Sequence, residues 1–180
     1  MGTHVATPTR VPCYPEHLRT FDYIGRYRYF LTFCTANRRR CFTDRSAVDV
    51  VTRQFLRAAD GYGFAVAAYC FMPAHVHLLV EGEREGSDCK RFIKAAKQYS
   101  GFAYSRARRE RLWQRYGFER VLRHEEATSE VIRYIVANPL RAGLARSPED
   151  YPFWGSFRHT REELLEFIAG PPEGCPYDFA

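Results

Sequence analysis

The chain has 180 residues, of which 46% are apolar and 16% aromatic, and it carries a net charge of +6. This length is enough for one domain with a sizeable core and short for two domains. Arginine outnumbers lysine, which favours a polyanionic partner such as nucleic acid, because the guanidinium group fits phosphate oxygens. No apolar run in the sequence is long enough to cross a bilayer, so no membrane partner is expected.

The cysteines narrow the class of protein further. They stand at positions 13, 34, 41, 70, 89 and 175 and include no Cys-x-x-Cys pair, which excludes zinc-finger and thioredoxin-type sites. No secretory signal is recognisable. We therefore expect a cytoplasmic protein with reduced thiols.

The first half of the chain predicts three strands and one helix. Residues 1–20 carry three prolines without periodicity and predict an N-terminal arm. The β-formers of residues 26–35 predict the first strand, and helical spacing of apolar residues follows over 46–59. Residues 64–71 and 75–81 predict two further strands, which the break at Pro73-Ala74 joins as a hairpin.

The second half is mainly helical. A helix is predicted from residue 87 or 88 to about 107, a strand over 118–123, and another helix from 128 or 129 to 138, where Pro139 should end it. A capping box at residues 160–163 predicts a short helix within a C-terminal tail, 159–180. This helix either packs on the domain or gates its site.

The order of these elements predicts the fold class. Strand, helix, strand, strand, helix, strand matches an α+β protein with a ferredoxin-like βαββαβ sandwich and an antiparallel sheet. The 128–138 helix is then an additional helix, and the tail adds a short C-terminal one. The predicted domain spans residues 21–158.

Two histidines in the 75–81 strand are the first candidates for chemistry. Alternation puts His75 and His77 on the same face, so both imidazoles could occupy adjacent positions on one metal ion. Taken alone, such histidines are more often half-buried groups that are hydrogen-bonded to their neighbours. The spacing leaves both interpretations open.

The additional helix supplies a second pair of candidates. Tyr134 and Asn138 are spaced i, i+4 and therefore lie about one turn apart on one helix face. By itself this pair is more typical of a core tyrosine and an asparagine at a helix end.

Basic residues are concentrated between Lys90 and Arg123, where eleven of them accompany two acidic residues. Aromatic residues are interleaved with these charges. The segment is either a solvated face or a groove that neutralises phosphates and stacks unpaired bases. On the second interpretation, the predicted DNA contacts are Lys90, Arg91, Lys94, Lys97, Arg106, Arg108, Arg109, Arg111, Trp113 and Arg115.

Four short motifs occur in order along the chain. They are Phe-Met-Pro-Ala-His-Val-His-Leu-Leu-Val from residue 71, Leu-Trp-Gln-Arg from 112, Tyr-Ile-Val-Ala-Asn-Pro-Leu-Arg-Ala-Gly-Leu from 134, and Tyr-Pro-Phe from 151 with Ser156. Together they resemble the single-tyrosine HUH transposases (the IS200-like family), and within them the REP-associated tyrosine transposase branch. The resemblance covers roughly residues 20–158. Ala74 departs from the family pattern, which usually has asparagine there, at a turn-shaping position.

The resemblance implies an enzyme that nicks and rejoins single-stranded DNA folded into hairpins, through a covalent 5′-phosphotyrosine intermediate. By position, His75 and His77 match the metal-binding pair, Tyr134 the nucleophile, and Asn138 the third metal ligand. Nitrogen and oxygen ligands together suit Mg²⁺ or Mn²⁺ as the divalent cofactor. The resemblance allows both a monomer and a homodimer.

Two other functions remain open. One is a catalytically idle descendant that binds hairpin DNA without cutting it. The other is a metal-dependent hydrolase that forms no covalent intermediate. The covalent adduct distinguishes the enzyme from both.

Overall fold

Five strands form one antiparallel sheet in the computed structural model, which describes residues 21–115, 118–122 and 128–169. The strands are β1 (Arg28–Cys34), β2 (Phe64–Met72), β3 (His75–Gly82), β4 (Phe118–Leu122) and β5 (Trp154–Gly155), and the helices are α1 (Arg45–Tyr62), α2 (Cys89–Arg108), α3 (Thr128–Arg141) and α4 (Arg161–Ala169). The strand order is β4-β1-β3-β2-β5. The first four strands with α1 and α2 give the ferredoxin-like arrangement, so the predicted α+β class is confirmed.

The strand β5 is the one element in the sheet that the sequence did not predict. It has two residues, and Trp154 and Gly155 pair with Cys70 and Tyr69 of β2. A strand this short has no alternation to detect.

Side chains of β3 alternate between two hydrophobic cores, one on each face of the sheet. Val76, Leu78 and Val80 are fully buried in a core shared with α1 and α2. Leu79 belongs to a second core, under α3 and α4, and His75 and His77 share its side of the strand. Burying each such aliphatic side chain contributes roughly 1.5–3 kcal/mol, which fixes the register and with it the direction of the histidines.

The β2–β3 hairpin sets the position of the histidines relative to β1. Pro73 and Ala74 form its two-residue turn, and the Thr35 N–H donates to the Ala74 carbonyl at 3.0 Å. In the antiparallel register, Cys34 lies opposite His75 and Thr32 opposite His77. The end of β1 and the loop after it therefore lie beside the start of β3.

The predicted end of the additional helix at Asn138 is wrong, because α3 continues through Pro139 to Arg141. Proline in a helix interior costs about 3 kcal/mol, through its missing N–H and its ring. Here Pro139 is buried, and the Asn138 side chain donates to the Tyr134 carbonyl at 2.7 Å. Packing and this extra hydrogen bond offset the cost, so tertiary structure overrides the local preference.

The tail helix α4 packs on the domain. Leu164 is buried in the second core, and the Arg133 guanidinium on α3 donates to the Ile168 carbonyl at 3.0 Å. The predicted N-terminal arm and the residues after 169 lie outside the described ranges. No helix among the described residues combines the length and apolar character that crossing a membrane requires.

Candidate active site

The two histidines face each other near the start of β3, the central strand of the sheet. Their Nε2 atoms are 3.0 Å apart, and the His77 side chain is 6% exposed whereas His75 is half-buried. The other ring nitrogen of His77, Nδ1, lies 2.9 Å from Thr32 Oγ1 on β1. This contact fixes the ring and assigns Nε2 as the nitrogen that points into the site.

Burial keeps both imidazoles neutral. It is the main cause that lowers the pKa of His75 to about 4 and that of His77 to about 3, and the positive charge of Arg38 lowers both further. A hydrogen bond between His77 and the Asn138 side chain opposes this effect. The Asn138 Nδ2 donates to the Tyr134 carbonyl, which leaves the amide oxygen as the atom that can serve a ligand.

The donor set fits a divalent metal ion. Two ligand nitrogens at right angles on an ion, each about 2.1 Å from it, lie about 3.0 Å apart, which is the separation of the two Nε2 atoms. Neutral imidazoles keep the lone pairs that a metal needs. No group of three His, Cys, Asp or Glu side chains suitable for a metal occurs within residues 21–115, 118–122 and 128–169. The Asn138 amide, which is hydrogen-bonded to His77, can supply an oxygen as a third protein ligand.

Helix α3 brings Tyr134 to the same point. Its ring packs edge-on against His77, with 5.7 Å between ring centroids, and edge-on against Phe30 at 5.7 Å. Phe30 in turn stacks on His77 at 5.5 Å. The four residues predicted from the sequence as nucleophile and metal ligands thus converge within one chain.

Two arginines at this site were missed by the sequence analysis. The Arg141 guanidinium lies 5.1 Å from the centroid of the Tyr134 ring, and Arg38 is close enough to lower the pKa of both histidines. Arg141 could have been found as the i+7 partner of Tyr134, but the predicted helix ended before it. Arg38 belongs to a run of three arginines, and no local pattern distinguishes it from the other two.

The predicted DNA contacts divide between the two ends of α2. Arg108 pairs with Asp44 at 2.7 Å. Asp44 lies two residues after Phe42, whose N–H donates to the Pro73 carbonyl, so Arg108 lies at the end of α2 near the β2–β3 turn. At the other end, Lys90 lies over the Tyr23 ring. With 1.5 Å per residue, Lys90 is about 27 Å along the helix axis from Arg108.

Basic residues therefore lie at the end of the sheet that carries the histidines. The segment after α2 runs along this end, since the Gln114 N–H donates to the Cys34 carbonyl, at the end of β1, at 3.0 Å. The predicted contacts at this end are Arg106, Arg108, Arg109, Arg111 and Arg115, whereas Lys90 and Arg91 lie at the opposite end and Lys94 lies between the two.

Two of the predicted DNA contacts form hydrogen bonds within the protein. The Lys97 ammonium donates to the Gln114 carbonyl at 2.9 Å and lies over the Phe33 ring. Trp113 is 5% exposed, and its Nε1 donates to Ser100 Oγ at 2.9 Å. A base could not stack on the Trp113 ring unless the core opened, so the aromatic character that suggested stacking reflects packing.

Replacing Trp113 with alanine should lower the free energy of unfolding by about 3–5 kcal/mol, because the ring fills a fully packed aromatic cluster with Phe33, Phe42 and Phe55. Urea unfolding followed by circular dichroism measures the change. The exposed Phe102 is the matched control, and its replacement should shift stability by less than about 0.5 kcal/mol. Loss of DNA binding with unchanged stability would return Trp113 to the DNA-binding surface.

Comparisons with known proteins find a family and a relative that this chain resembles. The model of a family described as "Transposase IS200 like" matches residues 24–138, which include the histidine pair, Tyr134 and Asn138. A Haemophilus influenzae protein with the provisional name REP-associated tyrosine transposase is 23% identical over 166 residues, covering 81% of this chain and 89% of that protein.

A solved structure shares the fold. The structure of a REP-associated tyrosine transposase bound to a REP hairpin matches with a TM-score of 0.70 and 20% identity, and the match covers 92% of this chain and 96% of that one.

Proposed function

This chain belongs to the IS200-like transposase family, and on that premise we propose that it nicks and rejoins single-stranded, hairpin-bearing DNA in a metal-dependent reaction through Tyr134. The related structure is described as bound to a REP hairpin, which supports DNA of that shape as the partner. The observation that carries the proposal is the approach of Tyr134, a potential nucleophile, to the imidazole pair of His75 and His77.

His75, His77 and the Asn138 amide oxygen would hold a divalent cation, Mg²⁺ or Mn²⁺. Bound there, the cation would supply a Lewis acid that polarises a phosphate oxygen, with coordination positions left for substrate. The chain's own contribution is to orient these donors. Thr32 fixes the His77 ring, and the Tyr134 carbonyl fixes the Asn138 amide.

Tyr134 would carry out the covalent step. Its hydroxyl oxygen bonds to the scissile phosphorus as the bond from phosphorus to the 3′ oxygen breaks, and the phenol gives up its proton while the leaving oxygen gains one. The products are a 5′-phosphotyrosine and a free 3′-hydroxyl. Because the linkage remains a phosphodiester, attack by a 3′-hydroxyl from another strand reverses the step and joins the strands.

The position of Tyr134 bears on how many chains an active site needs. One chain supplies both histidines, the tyrosine and the asparagine. A monomer could therefore carry a whole active site, and dimerisation would not be required for cleavage. The arginines at the same end of the sheet, among them Arg109 and Arg115, would contact the DNA strand that leads into the site.

The experiment that tests the proposal incubates the chain with a labelled hairpin oligonucleotide and Mn²⁺ and then looks for a denaturation-resistant adduct. The proposed enzyme gives an adduct and a shortened strand. Tight, salt-sensitive binding without cutting would identify an idle DNA-binding module instead. Cutting without an adduct would identify a hydrolase.

Replacing Thr32 with valine should weaken Mn²⁺ binding by about tenfold, because the His77 ring loses the partner that fixes its Nδ1–H. Titration calorimetry with Mn²⁺ alone measures the affinity. Thr52→Val is a matched control, since Thr52 Oγ1 has no hydrogen-bond partner in the described part of the chain. Equal Mn²⁺ affinity in the two variants would contradict the role of Thr32.

A further inference from the structure

Two guanidinium groups flank the candidate active site. Arg141 lies over the Tyr134 ring, and Arg38 belongs to the loop after β1, which is hydrogen-bonded to Ala74 beside His75. Both side chains are exposed to solvent. A ligand that approaches the tyrosine and the histidines would therefore meet a positive charge at each.

Arg141 owes its position to the passage of α3 through Pro139. Tyr134, Asn138 and Arg141 are spaced i, i+4, i+7, so they form one stripe along the helix. If α3 ended at Asn138, this spacing would not extend to Arg141. The guanidinium instead lies 5.1 Å from the ring centroid of Tyr134.

Arg38 owes its position to an unusual backbone. Asn37 and Arg38 have φ angles of 57° and 53°, in the left-handed region that residues other than glycine rarely adopt. The Arg38 N–H donates to the Thr35 carbonyl at 3.1 Å, and Thr35 is tied to Ala74 next to His75. The tight turn thus holds residue 38 beside the start of β3, and residues kept in this region commonly mark functional sites.

The charges of these two arginines are not paired with a carboxylate in the described part of the chain. Among residues 21–115, 118–122 and 128–169, neither Arg38 nor Arg141 forms an ion pair, whereas the neighbouring Arg39 is paired with Glu110 at 2.6 Å. Within these ranges no carboxylate pairs with either guanidinium, so two positive charges are available to an anionic ligand.

We propose that Arg38 and Arg141 form an anion subsite that binds the phosphodiester to be cut, beside Tyr134. The guanidinium fork matches a pair of phosphate oxygens, and two such groups can hold one phosphate from different sides. This inference rests on the proposed function for the identity of the ligand. The subsite orients the phosphate towards the Tyr134 hydroxyl and neutralises its negative charge as the phosphorus is attacked.

The experiment measures binding rather than cleavage, in a Tyr134→Phe background that cannot form the adduct. Hairpin oligonucleotides carry a neutral methylphosphonate at one linkage at a time along the single-stranded flank. At one linkage, and only there, Arg141→Gln should lose its effect. It should weaken binding of the all-phosphate DNA by about tenfold and binding of that methylphosphonate DNA by less than about twofold. Arg38→Gln should lose its effect at the same position of the DNA.

Arg146→Gln is the matched control, because Arg146 is an exposed arginine five residues beyond Arg141. Its effect should be the same on every oligonucleotide. Arg141→Lys should recover part of the affinity for the all-phosphate DNA, since it restores the charge without the fork. An equal penalty for Arg141→Gln on all oligonucleotides would overturn the subsite and leave Arg141 with a packing role against Tyr134.

The outcome separates this inference from the proposed function. If the wild-type chain never forms an adduct but the arginine variants lose their effect at one phosphate, the subsite stands and the nicking activity fails. If the adduct forms and the arginine variants weaken binding of all oligonucleotides equally, the activity stands and the subsite fails.

Discussion

Replacing Tyr134 with phenylalanine is expected to lower formation of the covalent adduct by at least about 1,000-fold, because the substitution removes the single oxygen proposed to bond to phosphorus. The ring contacts with His77, Phe30 and Arg141 involve the aromatic face and edge, so phenylalanine retains them. Binding of hairpin DNA should therefore stay within about twofold of the wild-type value. Denaturing gels of labelled oligonucleotide measure the adduct, and fluorescence anisotropy measures binding.

Tyr99→Phe is the matched control for this substitution. Tyr99 also lies under an arginine, Arg57, with 4.5 Å from guanidinium to ring centroid, but it belongs to α2 on the other side of the sheet. Its variant should form the adduct at the wild-type rate. Cleavage that persists in the Tyr134 variant with an undiminished rate would show that water or another side chain is the nucleophile.

Replacing His75 or His77 with alanine is expected to lower the cleavage rate by about 100-fold or more at a fixed Mn²⁺ concentration. Either substitution leaves one imidazole and one amide, too few protein ligands to hold the cation firmly. The same loss should follow chelation of the wild-type protein with EDTA, and added Mn²⁺ should reverse it. Single-turnover cleavage at several Mn²⁺ concentrations measures both effects.

The control must separate a lost ligand from a disturbed core. His77 is buried, so its variant is expected to lose stability as well, whereas the half-buried His75 is the cleaner position. The His159 side chain is exposed and lies 3.8 Å from Glu163, on the helix α4 side of the chain, so His159→Ala should leave cleavage unchanged. Activity that survives both EDTA and His75→Ala would remove the metal from the mechanism.

Local periodicity predicted much of the candidate site. A strand repeats its faces every two residues, which put His75 and His77 on one side of β3 before any contact was known. A helix repeats every 3.6 residues, which joined Tyr134 and Asn138. The resemblance of the motifs assigned their roles, which the geometry supports and the experiments above test.

Other residues could be judged only in three dimensions. The aromatic and basic composition of residues 90–123 suggested one DNA-binding segment, but composition does not report which side of a helix or connection is buried. The structure buries Trp113, bonds the partly buried Lys97 to the Gln114 carbonyl, and separates Lys90 from Arg108 by the length of α2. Charge counted along the chain is therefore a poor measure of charge on a surface.

The sequence by itself determined the order of strands and helices and the faces on which the candidate residues lie, because these depend on repeats within single elements. Tertiary structure alone decided which faces meet. Burial of Pro139 lets α3 reach Arg141, and antiparallel pairing of β1 with β3 brings the loop that carries Arg38 beside the start of β3. Both outcomes depend on contacts between segments far apart in the chain, where burial and pairing outweigh local preference.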